Sequence, residues 1–304
     1  TKLNYIKELL LYKWHMRNKK IEDLIHMPEI EDPVERKIAE LLSRLCSVTL
    51  TNYPDLFSLI ILKTGNYGIQ HGNTEMSCVG YVGYGITAGS ILGDYKAGNK
   101  FGKISIKLAE KYKYSPSLCI VYFVVGALVS HWSEHASNGL EYLYKAVNYG
   151  MEAGDLLMIG YAHCFILEIQ YFLGLPLDEM AEVVKGKHEL ARKLKHGSLG
   201  INAAIYERVV SALRGSTEDT KGAKGISLFE QQDGEFMQMM NEDQTSLATY
   251  YFHRMYFYYM EGNYRDALSV AKEIESLIGS IIGLMISAEY IFYYSLIIVS
   301  IYDE

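Results

Sequence analysis

The sequence predicts an all-α fold, a right-handed α-α superhelix of about seven stacked helical pairs. Three observations predict it. First, an apolar helix, a glycine or polar turn and a second apolar helix recur with a period of 41 to 43 residues. Gly93-Asp94-Tyr95 with Gly98 marks one copy, and Gly262-Asn263-Tyr264 with Ala267 marks another. Gly139 and Ala181 hold the same position in the copies between them, and the two-period step from Ala181 to Ala267 places a degenerate copy near Lys224. Second, only 5 of 304 residues are proline, and most of those stand where a helix should begin, the one place a helix tolerates them. Third, no stretch sustains the period-two alternation of a half-buried strand.

The elements follow in order. A first helix is expected over 3–18, ending at the short basic run Arg17 to Lys20, which reads as a solvated helix end. Asp32-Pro33 with Glu35 supplies a cap and a proline at the first helical position of the next helix, 33–51. Ser115-Pro116 supplies the same cap and proline for a helix over 116–132, and Pro54 and Pro176 start helices over 54–70 and 177–195. Helices 74–91, 95–112, 135–152, 155–173 and 199–214 fill the spaces between, and 227–240, 245–261, 264–279 and 282–302 complete the array. Gly93, Gly154, Gly174, Gly215 and Gly262 fall where helices should stop. Within 74–91, Gly80, Gly83, Gly85 and Gly89 each cost about 1 kcal/mol relative to alanine. Gly80 and Gly83 share a face, and a small face lets a neighbouring helix come close. Ser216 to Gly225 is polar and reads as a mobile loop that lengthens one repeat without ending the array, so a single domain spans 1–304. The absence of an initiator Met suggests a piece of a longer chain.

Composition narrows the function. The net charge of −7 offers no field for phosphates, so no nucleic acid is expected as a partner. Cys46, Cys78, Cys119 and Cys164 lie far apart in apolar helical stretches with no CxxC pair, as buried reduced thiols of a cytoplasmic protein would. Residues 281–302 are long enough to cross a bilayer, with Glu289 the one charge among them. They sit where the first helix of another pair is due, so no membrane span is expected. An unpartnered helix there would expose an apolar face, through which a homodimer could form.

The pairs resemble an elongated tetratricopeptide repeat. In 249–277, Tyr258, Gly262, Tyr264 and Ala267 match that repeat's spacing, while Met255 stands where a small residue is preferred and the period exceeds the usual length of about 34. Residues 81–112, 130–155 and 289–302 resemble the helical region of large bacterial signalling proteins. Those proteins join a serine/threonine kinase-like domain, a STAND AAA-type ATPase, a helical array, a GAF domain and a sensor histidine kinase. The resemblance implies a regulatory, non-catalytic segment that works with neighbouring domains of the same chain and needs no cofactor of its own. The catalytic motifs of those neighbours do not occur in this sequence.

Three stretches carry residues of a kind that chemistry uses. His131-Trp132-Ser133-Glu134-His135 has the H-x-x-E-H form, which in a zinc hydrolase needs both histidines one turn apart on a helix, Glu134 as base and a third ligand such as Glu207. The repeat phase instead puts a turn between His131 and His135, with Trp132 packing and the histidines capping. Residues 98–105 resemble a phosphate-binding loop, but one residue is missing between the glycines and Ile104 replaces the hydroxyl residue. The adjacent His163-Cys164 is a weak metal hint on an apolar helix.

The best surface for a protein or peptide partner is aromatic. By tetratricopeptide phase, Thr249, Phe252, Tyr256 and Tyr259 face the concave side, and Gly80, Gly83, Thr87 and Ser90 are their equivalents in an earlier, smoother copy. Tyrosines there offer apolar area and a hydroxyl at low entropy cost. The competing reading is packing against the tyrosine-rich helix 282–302. The expected function is therefore that of a regulatory scaffold or sensor arm that binds a protein, peptide or small ligand in its concave groove, with a structural spacer and a zinc hydrolase as the alternatives.

Overall fold

The computed structural model describes residues 2–52, 54–215, 229, 234–241 and 243–302. The expected loop at Ser216 to Gly225, the degenerate copy near Lys224 and part of the helix expected over 227–240 lie outside the described residues. Among the described residues the only β pairing is an isolated bridge between Glu29 and Asn73. The fold is all-α.

Fifteen helices of the α class are described: α1 (Lys2–Met16), α2 (Pro33–Asn52), α3 (Pro54–His71), α4 (Ser77–Ile86), α5 (Tyr95–Tyr112), α6 (Ser115–Val124), α7 (Ser137–Ala153), α8 (Leu156–Phe172), α9 (Leu177–Leu194), α10 (Gly197–Arg214), α11 (Gly234–Asn241), α12 (Gln244–Met260), α13 (Tyr264–Glu275), α14 (Ile278–Ile281) and α15 (Met285–Tyr302). Two features have no counterpart in the sequence reading. A 3-10 helix, Ile21–His26, follows α1, and α4 and α6 each end in a π turn, Thr87–Ile91 and Val125–Val129.

The ends of the helices follow their local chemistry. Asp94 caps α5 by accepting from the Ala97 N–H at 2.9 Å, and Asn263 caps α13 through the Asp266 N–H. Asp32 caps α2, its Oδ1 accepting from Val34 at 2.7 Å. Ser115 is not a cap: it is the first residue of α6, and its hydroxyl donates to Glu152 at 2.7 Å. Gly93, Gly154, Gly174, Gly215 and Gly262 all take a φ between +62° and +76°, a region costly for any residue with a Cβ.

The chain divides into two compact units, Thr1–Ile159 and Gly160–Glu304. In the first, each helix from α2 to α7 packs on the next in sequence, α2 also touches α4, α4 touches α6, and α1 lies on α3. Small residues set the spacing. A Cβ on Gly80 would lie 2.4 Å from the Gly65 backbone nitrogen, and one on Gly83 would strike Ile61, so this face of α4 is pressed on α3 rather than lining an open groove. On its other face a Cβ on Gly98 would meet the Gly85 carbonyl at 2.9 Å. The same crossing recurs 41 residues on: a Cβ on Gly85 would meet the Gly98 carbonyl at 3.1 Å, and one on Gly126 would meet the Gly139 carbonyl at 2.9 Å. In the second unit α9 pairs with α10 and α12 with α13, while α15 packs on both α12 and α13. Leu167, Met180, Val184, Tyr206 and Val210 form one of its cores.

Two helical stretches are long and apolar enough to cross a bilayer. Ser115–Trp132 is two-thirds buried, as a core helix would be, and Met285–Tyr302 is 22% buried. The inner side of the latter carries Tyr290, whose hydroxyl donates to the Ala271 carbonyl at 3.1 Å, and Tyr294, which donates to Glu275 at 3.0 Å. All four cysteines are free and buried.

Candidate functional site

The H-x-x-E-H stretch does not form one helical face. His131 lies in the 3-10 turn Ser130–Trp132, and His135 lies in the turn before α7. His135 works as a cap, its Nδ1 accepting from the Ser137 N–H at 3.3 Å, and Trp132 stacks on Tyr95 at 5.2 Å. Glu134 is bound to Lys103 at 2.8 Å and accepts from Asn99 and Asn138, each at 3.2 Å. Burial opposes its ionisation, but these three partners together hold its carboxyl below the usual carboxylate range. A carboxylate so held is a weak base. Glu207 pairs with His188 at 3.2 Å. Among the described residues no group of three or more His, Cys, Asp or Glu is placed to hold a metal.

Residues 98–105 lie inside α5, where Gly98 and Gly102 are packed against neighbouring helices and Lys103 is committed to Glu134. His163 Nδ1 accepts from the Lys187 ammonium at 2.9 Å. Burial, then the Lys187 charge, pushes His163 down to about 4, and burial lowers Lys187 to about 8. The Cys164 thiol is pushed well up by burial, so it stays protonated beside them.

The aromatic face of α12 is the most developed site. Thr249 and Phe252 are each 2% exposed, Phe252 lying 6.2 Å from Phe172, so both form its floor. Tyr256 and Tyr259 remain partly exposed and converge on one ring, Tyr293 of α15, at 5.0 Å and 5.6 Å in edge-to-face arrangements. The sequence reading had both outcomes for this face. The structure divides it, with Thr249 and Phe252 buried and the two tyrosines at the rim. Glu289, one turn before Tyr293, completes the set. Its charge is felt by Tyr171, Tyr256 and Tyr293, and burial alone raises its carboxyl above the usual range. Tyr171, Tyr293 and Glu289 join this face without being among the residues that the repeat phase selects. Glu289 was legible as the lone charge in an apolar run, whereas Tyr171 comes from a distant helix. In the earlier copy, Thr87 is buried and donates to the Gly83 carbonyl at 3.1 Å, and Ser90 is half-buried.

Beneath this face lies a buried polar group. Glu168 is 4% exposed and accepts from the Ile286 N–H near the start of α15. His253 is fully buried, 5.2 Å from both Tyr171 and Tyr206, and neither its ring nitrogens nor the Tyr206 hydroxyl finds a partner among the described residues.

Two surface concavities were also compared. One of about 380 Å³ is lined by Glu110, Lys113, Ser115 and Glu152, but Glu110 and Glu152 already accept from Tyr122 and Ser115, each at 2.7 Å. The other lies along Leu3, Ile6, Leu10 and Trp14 of α1 and is almost wholly apolar.

No family model matches the chain. Over 137 residues it is 26% identical to hybrid signal transduction histidine kinase G of Dictyostelium discoideum, a match covering 44% of this chain and 4% of that protein. The matched segment is a small part of that much longer protein.

Proposed function

We propose that this chain is a non-catalytic regulatory segment of a larger cytoplasmic signalling protein. In this reading it is a tetratricopeptide-like α-α superhelix that binds a protein or peptide partner at its tyrosine face and biases a neighbouring ATPase or kinase. The similarity to a hybrid signal transduction histidine kinase carries the signalling role. The sequential packing of α2 to α7 and the glycine contact repeated after 41 residues support the array. The turn between His131 and His135 weighs against the hydrolase alternative. Binding would act by favouring one curvature of a compliant array over another, which requires the partner to bind the two curvatures with different affinity.

The test is made in the longer signalling polypeptide. Tyr256→Ala with Tyr259→Ala is expected to change autophosphorylation by about threefold or more, the low end of typical allosteric coupling, while the purified segment stays folded by circular dichroism. Unchanged output in the folded double variant would leave the segment as a spacer.

A further inference from the structure

Glu289 of the second unit is a charge that the packing of α15 leaves unexplained. It is the one acidic residue in the apolar run 281–302, and it stands partly buried on the side of α15 that meets α12. Among the described residues it has no ion-pair or hydrogen-bond partner, and burial is the sole influence on its carboxyl. Tyr293, one turn on along the same helix, lies in a cluster of phenol rings. Tyr293 lies edge-to-face with Tyr256 and Tyr259, and Tyr171 completes the group from α8. Phe292, 56% exposed, sits 5.2 Å from Tyr293 at the outer margin.

This combination is unfavourable as it stands. A carboxylate withdrawn from water without a counter-ion pays for its desolvation. A cation reverses this: the charge is paired, and the aromatic rings clustered at Tyr293 add attraction of their own. A residue kept at a cost to stability marks a position held for another purpose. Guanidinium suits the place better than ammonium, because it is planar, stacks on phenol rings and pairs with both oxygens of a carboxylate. Its aliphatic stem would lie over Phe292.

We propose that Glu289, with Tyr171, Tyr256, Tyr259 and Tyr293 around it, is the receptor for an arginine side chain presented by a protein partner. The proposal rests on the reading of this tyrosine face as the contact surface and names the residue it recognises.

The experiment uses the whole chain with ring-labelled tyrosine, followed by NMR. The probe is the blocked tripeptide acetyl-Gly-Arg-Gly-amide, with norleucine and lysine versions as comparisons. Saturable shifts confined to the four tyrosines are expected with the arginine peptide and not with norleucine. Glu289→Gln should weaken binding about tenfold, as expected for losing one charge-assisted pair, and the remaining affinity should lose its salt dependence. The same variant should melt at or above the wild-type temperature, since it removes an unpaired carboxylate. Equal binding of norleucine, or affinity unaffected by Glu289→Gln, would overturn the proposal, and lysine binding more tightly than arginine would overturn the choice of guanidinium. If arginine fails to bind while Tyr256→Ala with Tyr259→Ala still alters autophosphorylation, the receptor is wrong and the regulatory reading stands. If neither experiment shows an effect, both fall.

Discussion

Gly80→Ala is expected to destabilise the first unit by about 2 to 3 kcal/mol, the range of a forced overpacking, although alanine is the better helix former by about 1 kcal/mol. The added methyl would sit 2.4 Å from the Gly65 nitrogen, 2.6 Å from its Cα and 2.7 Å from the Thr64 carbonyl carbon. These are backbone atoms of α3, so no rotamer change relieves the clash and the two helices must separate. Gly186 in α9 is the control. Nothing lies within 4 Å of its would-be Cβ, so Gly186→Ala should gain about 0.5 to 1 kcal/mol through helix propensity alone. Urea unfolding of both variants, read by hydrogen exchange in each unit, checks the pair. A neutral or stabilising Gly80→Ala would show that α3 and α4 are not in contact at this crossing.

The second large effect is on pH dependence, and it originates under the tyrosine face. Burial raises Glu168 to about 7 from the ordinary carboxyl value of 4.5 and lowers His253 to about 3 from the ordinary imidazole value of 6.5. Between pH 4.5 and 7 the folded chain keeps the Glu168 proton that the unfolded chain has released. Stability therefore falls as pH rises through that window, by a total on the order of 3 kcal/mol. His253 acts in the opposite sense. It is neutral when folded, the unfolded chain takes up its proton below pH 6.5, and stability falls as pH drops from 6.5 towards 3. Glu168→Gln should remove the first effect and leave the second. The variant's stability relative to wild type should thus improve steadily from pH 5 to pH 8, measured by chemical unfolding at each pH. Parallel curves for the two proteins would mean that Glu168 is not buried beside α15.

Much of the fold was legible because its signals are local. Asp94 and Asn263 cap helices three residues before the N–H groups they accept from, and the five stop glycines adopt the left-handed turn their positions implied. The recurrence of Gly98 at Gly139 marked the period, but their partners Gly85 and Gly126 emerged only from the packing, because a close helix crossing needs two small residues on different helices. The π turns that end α4 and α6 carry no residue signature, and Ser115 before proline has the pattern of a cap although it is itself the first helical residue. The candidate site was half legible. Tetratricopeptide phase picked out Thr249, Phe252, Tyr256 and Tyr259 as one face, and only the seat of α15 decided which of them are floor and which are rim. Glu168 and His253 looked like ordinary members of apolar helices, and their burial is a property of the assembled second unit.

The claim beneath the functional reading is that the helical pairs stack into one extended array. Small-angle X-ray scattering of the monodisperse chain tests it directly. A compact domain of this length would have a radius of gyration of about 19 Å. Seven pairs stacked at ordinary helix-packing distances of about 10 Å give about 22 Å and a distance distribution with a long tail. A radius near the compact value with a symmetric distribution would contradict the array and, with it, a mechanism that works by changing curvature.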